Sequence, residues 1–193
     1  MKKEKTLRLS MAALFAALCY IGFTYCKIDI PVGDSHTAFH LGNVFCVLAA
    51  LLIGGLWGGL AGAVGMSIAD LMDPRYILTT PKTFILKLGI GLIAGLLAHK
   101  VFRISREDHR SSLLVATLCS TIAAMAFNAV FDPIFGYFYK TYILGQPQDA
   151  AAALAKVAAV TSLVNAAVSV VAATTLYLAL RTALKKANLL PTL

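Results

Sequence analysis

The chain has 193 residues, 59% of them hydrophobic and 13% charged, with a mean hydropathy of +0.79 and a formal net charge of +8. A soluble domain of this size has no interior large enough for so many apolar side chains, so the sequence is that of an integral membrane protein in a lipid bilayer. The excess of Lys and Arg gathers at the ends of apolar runs instead of forming a basic face on a soluble fold, and no nucleic acid is expected as a partner.

Crossing the hydrocarbon core takes about 20 apolar residues, fewer where the ends are covered by protein. The first run, 7–26, follows the charged start MKKEKTLR and shows no small-residue cleavage site, so it reads as a membrane helix and not as a removed signal. Runs 39–54 and 58–72 are separated by GGLWGG, Gly54 to Gly59, which reads as a tight turn between two short helices. Three more runs follow at 84–101, 113–137 and 152–180. The expected fold is an all-α membrane protein, a bundle of six transmembrane helices forming a single domain over 1–193. The four cysteines, Cys19, Cys26, Cys46 and Cys119, have neither CxxC nor metal-type spacing and read as small packing residues.

An even number of spans puts both termini on one side. With the termini cytoplasmic, eleven of the seventeen basic residues fall inside: Lys2, Lys3, Lys5, Arg8, Lys100, Arg103, Arg106, Arg110, Arg181, Lys185 and Lys186. That distribution satisfies the positive-inside rule and leaves the outer connections at 27–38, 73–83 and 138–151. It points to a multi-pass membrane protein with both termini in the cytoplasm.

Lys87 lies inside TTPKTFILKLGIGLIAGLLAHK, where a charge at the centre of a membrane helix costs roughly 2.5–3.5 kcal/mol. The fourth helix enters from outside near Pro81, so Lys87 sits only about 9 Å below its start. Asn128 and Asp132 share one face of the fifth helix near its outer end. Asp70 ends the third helix at the same level, and Ser162, Asn165 and Ser169 make a polar stripe down the sixth. In lipid such groups need partners or a water-filled cavity. A single pocket open to the outside accommodates them, and it would bind a solute. Ion pairing of Lys87 with Asp132 or Asp70, and ordinary interhelical bonding of Asn165 and the serines, are the structural alternatives.

Phe84 and Phe131 adjoin this cluster and are candidates for stacking on a flat ligand, whereas Tyr76, Phe135, Tyr137, Tyr139 and Tyr142 read as an interfacial belt. His36 and His40, with Asp34 nearby, sit where the second helix is expected to begin. His40 is a candidate substrate contact, but without further His, Cys or Glu support no metal is expected. Small residues form a second pattern. Ala13 and Ala17, with Ala12 and Ala16 beside them, are spaced four apart on the first helix, and Gly54, Gly58 and Gly62 continue that spacing, which permits close helix approach. Gly89, Gly91 and Gly95 form a packing surface. No Walker A motif is present, so any use of ATP belongs to a partner.

Three stretches, SMAALFAALCY, FHLGNVFCVLAALLIGGLWGGLAGAVGMSIADLM and PKTFILKLGIGLIAG, resemble the substrate-binding S components of energy-coupling factor (ECF) vitamin transporters, over essentially the whole chain. Within them the chain is most similar to the riboflavin-type branch, whose members do not all bind riboflavin. The resemblance implies six membrane helices, a transmembrane coupling subunit and two cytoplasmic ATPases as partners, and no cofactor on this chain. It implies docking of the small-residue face of the first helix, Ala13 and Ala17 with Ala12 and Ala16, on the coupling subunit. It also implies a vitamin held near the outer surface by the later helices and the 27–38 connection. Riboflavin, a pyridoxine-like vitamin and a pyrimidine precursor all suit Lys87, Asn128, Asp132, Asn165, Ser162, His40, Phe84 and Phe131. Two other classes stand beside this one: an autonomous secondary or proton-coupled carrier using Asp70 and Asp132, and a small membrane enzyme. The sequence offers no clear inverted repeat for the first and no catalytic constellation for the second.

Overall fold

The computed structural model describes residues 2–107, 109–187 and 189–190. Met1, Asp108, Asn188 and residues 191–193, which belong to the expected domain, lie outside the described residues, as do the side chains of Lys2 and Lys3. The order is α1 (Lys2–Thr24), β1 (Lys27–Val32), β2 (Ser35–His40), α2 (Gly42–Ile53), α3 (Gly55–Met72), α4 (Thr80–Gly95), α5 (Arg110–Phe138) and α6 (Gln148–Lys186). A short 3-10 turn, Ile77–Thr79, leads into α4, and π-helical turns extend α4 through Leu96–Val101 and α5 through Tyr139–Ile143.

Five of these helical segments are long and apolar enough to cross a membrane: Glu4–Thr24, Gly55–Met72, Ile77–Val101, Arg110–Ile143 and Gln148–Lys186. The expected span at 39–54 is different. Its helix, α2, has 12 residues and a length of about 18 Å, short of the roughly 30 Å hydrocarbon core. Eleven of those residues are buried, among α1, α3, α4 and α6, and a helix apolar on every side belongs in a protein interior. Phe39 and His40, expected to open this helix, instead close β2.

The turn expected across GGLWGG contracts to one residue. Gly54, with φ 92°, breaks the chain in a region that side-chain-bearing residues avoid, and Gly55 to Gly59 are already helical. The result is an antiparallel helical hairpin in which Gly58 lies on the backbone of Ala50 and Gly62 on Cys46. On its next face α3 meets α4: a Cβ at Gly59 or Gly91 would strike the opposite backbone, and Gly55 meets Gly95 in the same way. Gly65 faces the Ala16 carbonyl of α1. Glycine spacing therefore makes α3 the central post, with α1, α2 and α4 packed against it.

The connection at 27–38 holds a feature absent from the all-helical expectation. Residues 27–40 form an antiparallel hairpin pairing Lys27 with His40 through Val32 with Ser35, and Gly33 turns it at φ 59°. It lies at the end of the bundle opposite the N-terminus, together with the 73–79 and 144–147 connections. Leu41 carries the chain from there directly down into α2.

Candidate functional site

A cavity opens at the hairpin end. Counting the open space at its mouth, it encloses about 880 Å³. Five helices bring polar side chains to it: α2 through Asn43, α3 through Asp70, α4 through Lys82 and Lys87, α5 through Asn128 and Asp132, α6 through Ser162 and Asn165. His36, Thr37, Ala38 and His40 of β2 close one side, with Phe23 and Tyr76 adding rings.

Lys87 is buried, 6% exposed, and its Nζ donates to Asn128 Oδ1 at 3.2 Å. Asp132, one turn beyond Asn128, accepts from Lys82 Nζ at 2.7 Å and from the Ser162 hydroxyl at 2.6 Å. The ion pair considered for Lys87 thus goes to Lys82, which sequence spacing assigns to a connection. Pro81 explains the difference: as one of the first residues of α4 it brings Lys82 onto the helix, directed at α5. Asn165 holds the hairpin, its Oδ1 accepting from the His40 N–H and its Nδ2 donating to the Ala38 carbonyl, each at 3.0 Å.

Six of the eight expected substrate contacts therefore meet around one space: Lys87, Asn128, Asp132, Asn165, Ser162 and His40. Phe84 and Phe131 do not line it. Phe131 precedes Asp132 by one residue, about 100° round the helix, so it is 49% exposed and stacks on Phe127 at 4.8 Å instead. Asn43 gives no signal in the sequence, because a single amide at the head of an apolar run looks like a helix-end residue, and Asp70, expected to end the third helix at this level, is 1% exposed. Among the described residues, neither side-chain atom of Asn43 and neither carboxylate oxygen of Asp70 has a partner in full hydrogen-bond geometry, although the Thr83 hydroxyl lies within reach of Asp70.

A charged clasp joins the hairpin to the α3–α4 connection. Arg75 forks onto Asp73, with Nε to Oδ1 at 2.9 Å and a terminal nitrogen to Oδ2 at 2.7 Å, and reaches Asp29 at 2.6 Å. Lys27 bonds Asp73 at 2.8 Å, and the Tyr76 hydroxyl donates to Asp29 at 2.7 Å. The Arg75 guanidinium holds the Asp73 carboxyl well below the usual carboxylate range. Burial, with Lys87 nearby, lowers His40 from 6.5 to about 3, so its imidazole is neutral. Among the described residues no group of three or more His, Cys, Asp or Glu side chains gathers as a metal site.

The family described as ECF-type riboflavin transporter, S component, has a model that matches residues 3–182. The chain belongs to that family. No curated protein and no solved structure matches it. As an ECF S component it is a multi-pass membrane protein with a substrate-binding role in vitamin transport. Its first helix divides the four alanines into two pairs. Ala12 and Ala16 turn toward the core: Ala12 is 8% exposed, and Ala16, partly buried, packs on Gly65. Ala13 and Ala17 are exposed, flanked by Leu9, Leu14 and Ile21.

Proposed function

We propose that this S component captures a small water-soluble vitamin or vitamin precursor, of riboflavin, pyridoxine-like or pyrimidine-like type, from the outer side of the cytoplasmic membrane. The observation that carries the reading is the cavity itself: charged and amide groups from five helices facing one open space in a lipid-embedded bundle. Such groups are costly in lipid and mark a solute site. Lys87, Asn128, Asp132, Asn165, Ser162 and His40 act as its polar wall.

Transport requires partners. A transmembrane coupling subunit docks on the Ala13 and Ala17 face, and two cytoplasmic ATPases supply the hydrolysis; this chain binds no cofactor. Release demands a state of the complex that binds solute more weakly, since a ligand moves an equilibrium only through its differential affinity for the two states. Mass spectrometry of the small molecules that copurify with the protein, followed by thermal-shift titration of the compound found, tests the reading. A vitamin-class compound that raises the melting temperature, and no longer does so in Asn128→Leu, supports it. Absence of any stabilising vitamin would refute it.

A further inference from the structure

The polar groups of the cavity fall into two sets. One is engaged within the protein: Asp132 with Lys82 and Ser162, and Asn165 with the hairpin backbone. The other finds no hydrogen-bond partner among the described residues, save the Thr83 hydroxyl beside Asp70. Beside Nδ1 of His36 and of His40, it comprises Asn43, fully buried in the first turn of α2 with Oδ1 and Nδ2 both unpaired, and the carboxylate of Asp70, 1% exposed near the end of α3. The Asn43 and Asp70 side chains both line the cavity. Folded proteins rarely leave buried groups so, and an occupant of the cavity bearing matching groups would complete both.

Resting on the vitamin-binding reading above, we propose that Asn43 and Asp70 determine specificity, and that the substrate meets them with a donor nitrogen beside an acceptor, as in an aminopyrimidine-like ring. An ionised Asp70 only accepts, so the ligand must bring N–H or O–H groups to it. Asn43 offers an acceptor and a donor side by side, which an exocyclic amino group and its adjoining ring nitrogen match. Lys87, with Asn128 Oδ1 as its one acceptor among the described residues, keeps protons free for a further acceptor on the ligand. An imide edge, carbonyl on either side of N–H as in a flavin ring, points oxygen lone pairs at the Asp70 carboxylate and is disfavoured.

The test is calorimetric titration of the purified full chain with three probes: a hydroxymethyl-substituted aminopyrimidine, the pyrimidinone with carbonyl in place of the amino group, and riboflavin. The aminopyrimidine is expected to bind at least about ten-fold more tightly than the pyrimidinone, because a site built for a donor rejects the analogue lacking it. Asp70→Asn, which keeps the shape and adds a donor, narrows that ratio. Asn43→Leu removes two unpaired groups, so it leaves the empty protein melting at the same or a higher temperature while weakening the aminopyrimidine about ten-fold or more. That combination separates recognition from a structural role and decides the matter if Asp70→Asn does not fold. Riboflavin binding tightly and equally to the wild type and to both variants overturns the inference and leaves the vitamin-binding reading intact. Binding by none of the three, with no vitamin copurifying, removes both.

Discussion

At the residue scale the site is organised by which charge finds which partner. Asp132 neutralises Lys82 and accepts from Ser162, so Asp132→Leu, similar in size, strands an ammonium whose side chain is 17% exposed together with a hydroxyl. The expected cost is about 1–3 kcal/mol for each stranded group, seen as a lower thermal midpoint in detergent. Adding Lys82→Met should recover most of the loss, because removing both ions avoids an uncompensated charge; a double variant as weak as the single one would contradict the pairing. His40 gives a pH dependence. Its native form stays neutral down to about 3, whereas the unfolded chain takes a proton near 6.5, so the unfolded state binds more protons between those values. Stability from this group is complete above about pH 7 and declines as pH falls through 6.5. The melting temperature should therefore be lower at pH 5 than at pH 7.5, and the difference should shrink in His40→Gln. Lys87, Asn128 and Asp132 were legible in sequence because polar groups in apolar runs stand out and helical spacing gives their face. Lys82 and Asn43 were not, since each lies at a helix end whose boundary decides where the side chain points.

At the element scale, long apolar runs announce helices, and the small-residue spacing that carries their contacts is equally visible. Gly59 on α3 and Gly91 on α4 touch backbone to backbone, so Gly91→Leu has no room and must push the helices apart. Overpacking of this kind costs about 1–3 kcal/mol or more, and a loss of monodisperse folded protein in size-exclusion chromatography is the expected readout. The hairpin was hidden for a physical reason: KIDIPV and SHTAFH are short, carry Pro31, and draw their order from the clasp and from Asn165, contacts far away in sequence. The start of α2 was hidden in the same way. Phe39 and His40 continue an apolar run, and only pairing with Lys27 and Ile28 makes them strand.

At the scale of the whole molecule the cavity and the exposed alanine face of α1 are separate surfaces, so binding and transport should come apart. Ala13→Trp is expected to leave ligand affinity of the purified protein unchanged while abolishing uptake in cells that contain the coupling subunit and ATPases; normal uptake would refute docking through this face. Ala12→Trp, aimed into the core, should lower stability instead. Orientation can be checked with the protein's own thiols. Cys26 is exposed at the hairpin end, whereas Cys119, also exposed, lies within the apolar span of α5. A membrane-impermeant thiol reagent applied to intact cells should label the protein through Cys26 and lose that label in Cys26→Ser. Failure to label would place the cavity on the opposite side.

The brevity of α2 has one more consequence. A core helix of full membrane length would extend toward the space beneath the hairpin, where Asn43 of the first turn already meets the cavity. The floor of the cavity is thus set near the point where Gly42 begins to coil, beneath the two strands. Inserting one helical turn ahead of Val44 would plug the chamber from below without replacing any side chain on its wall.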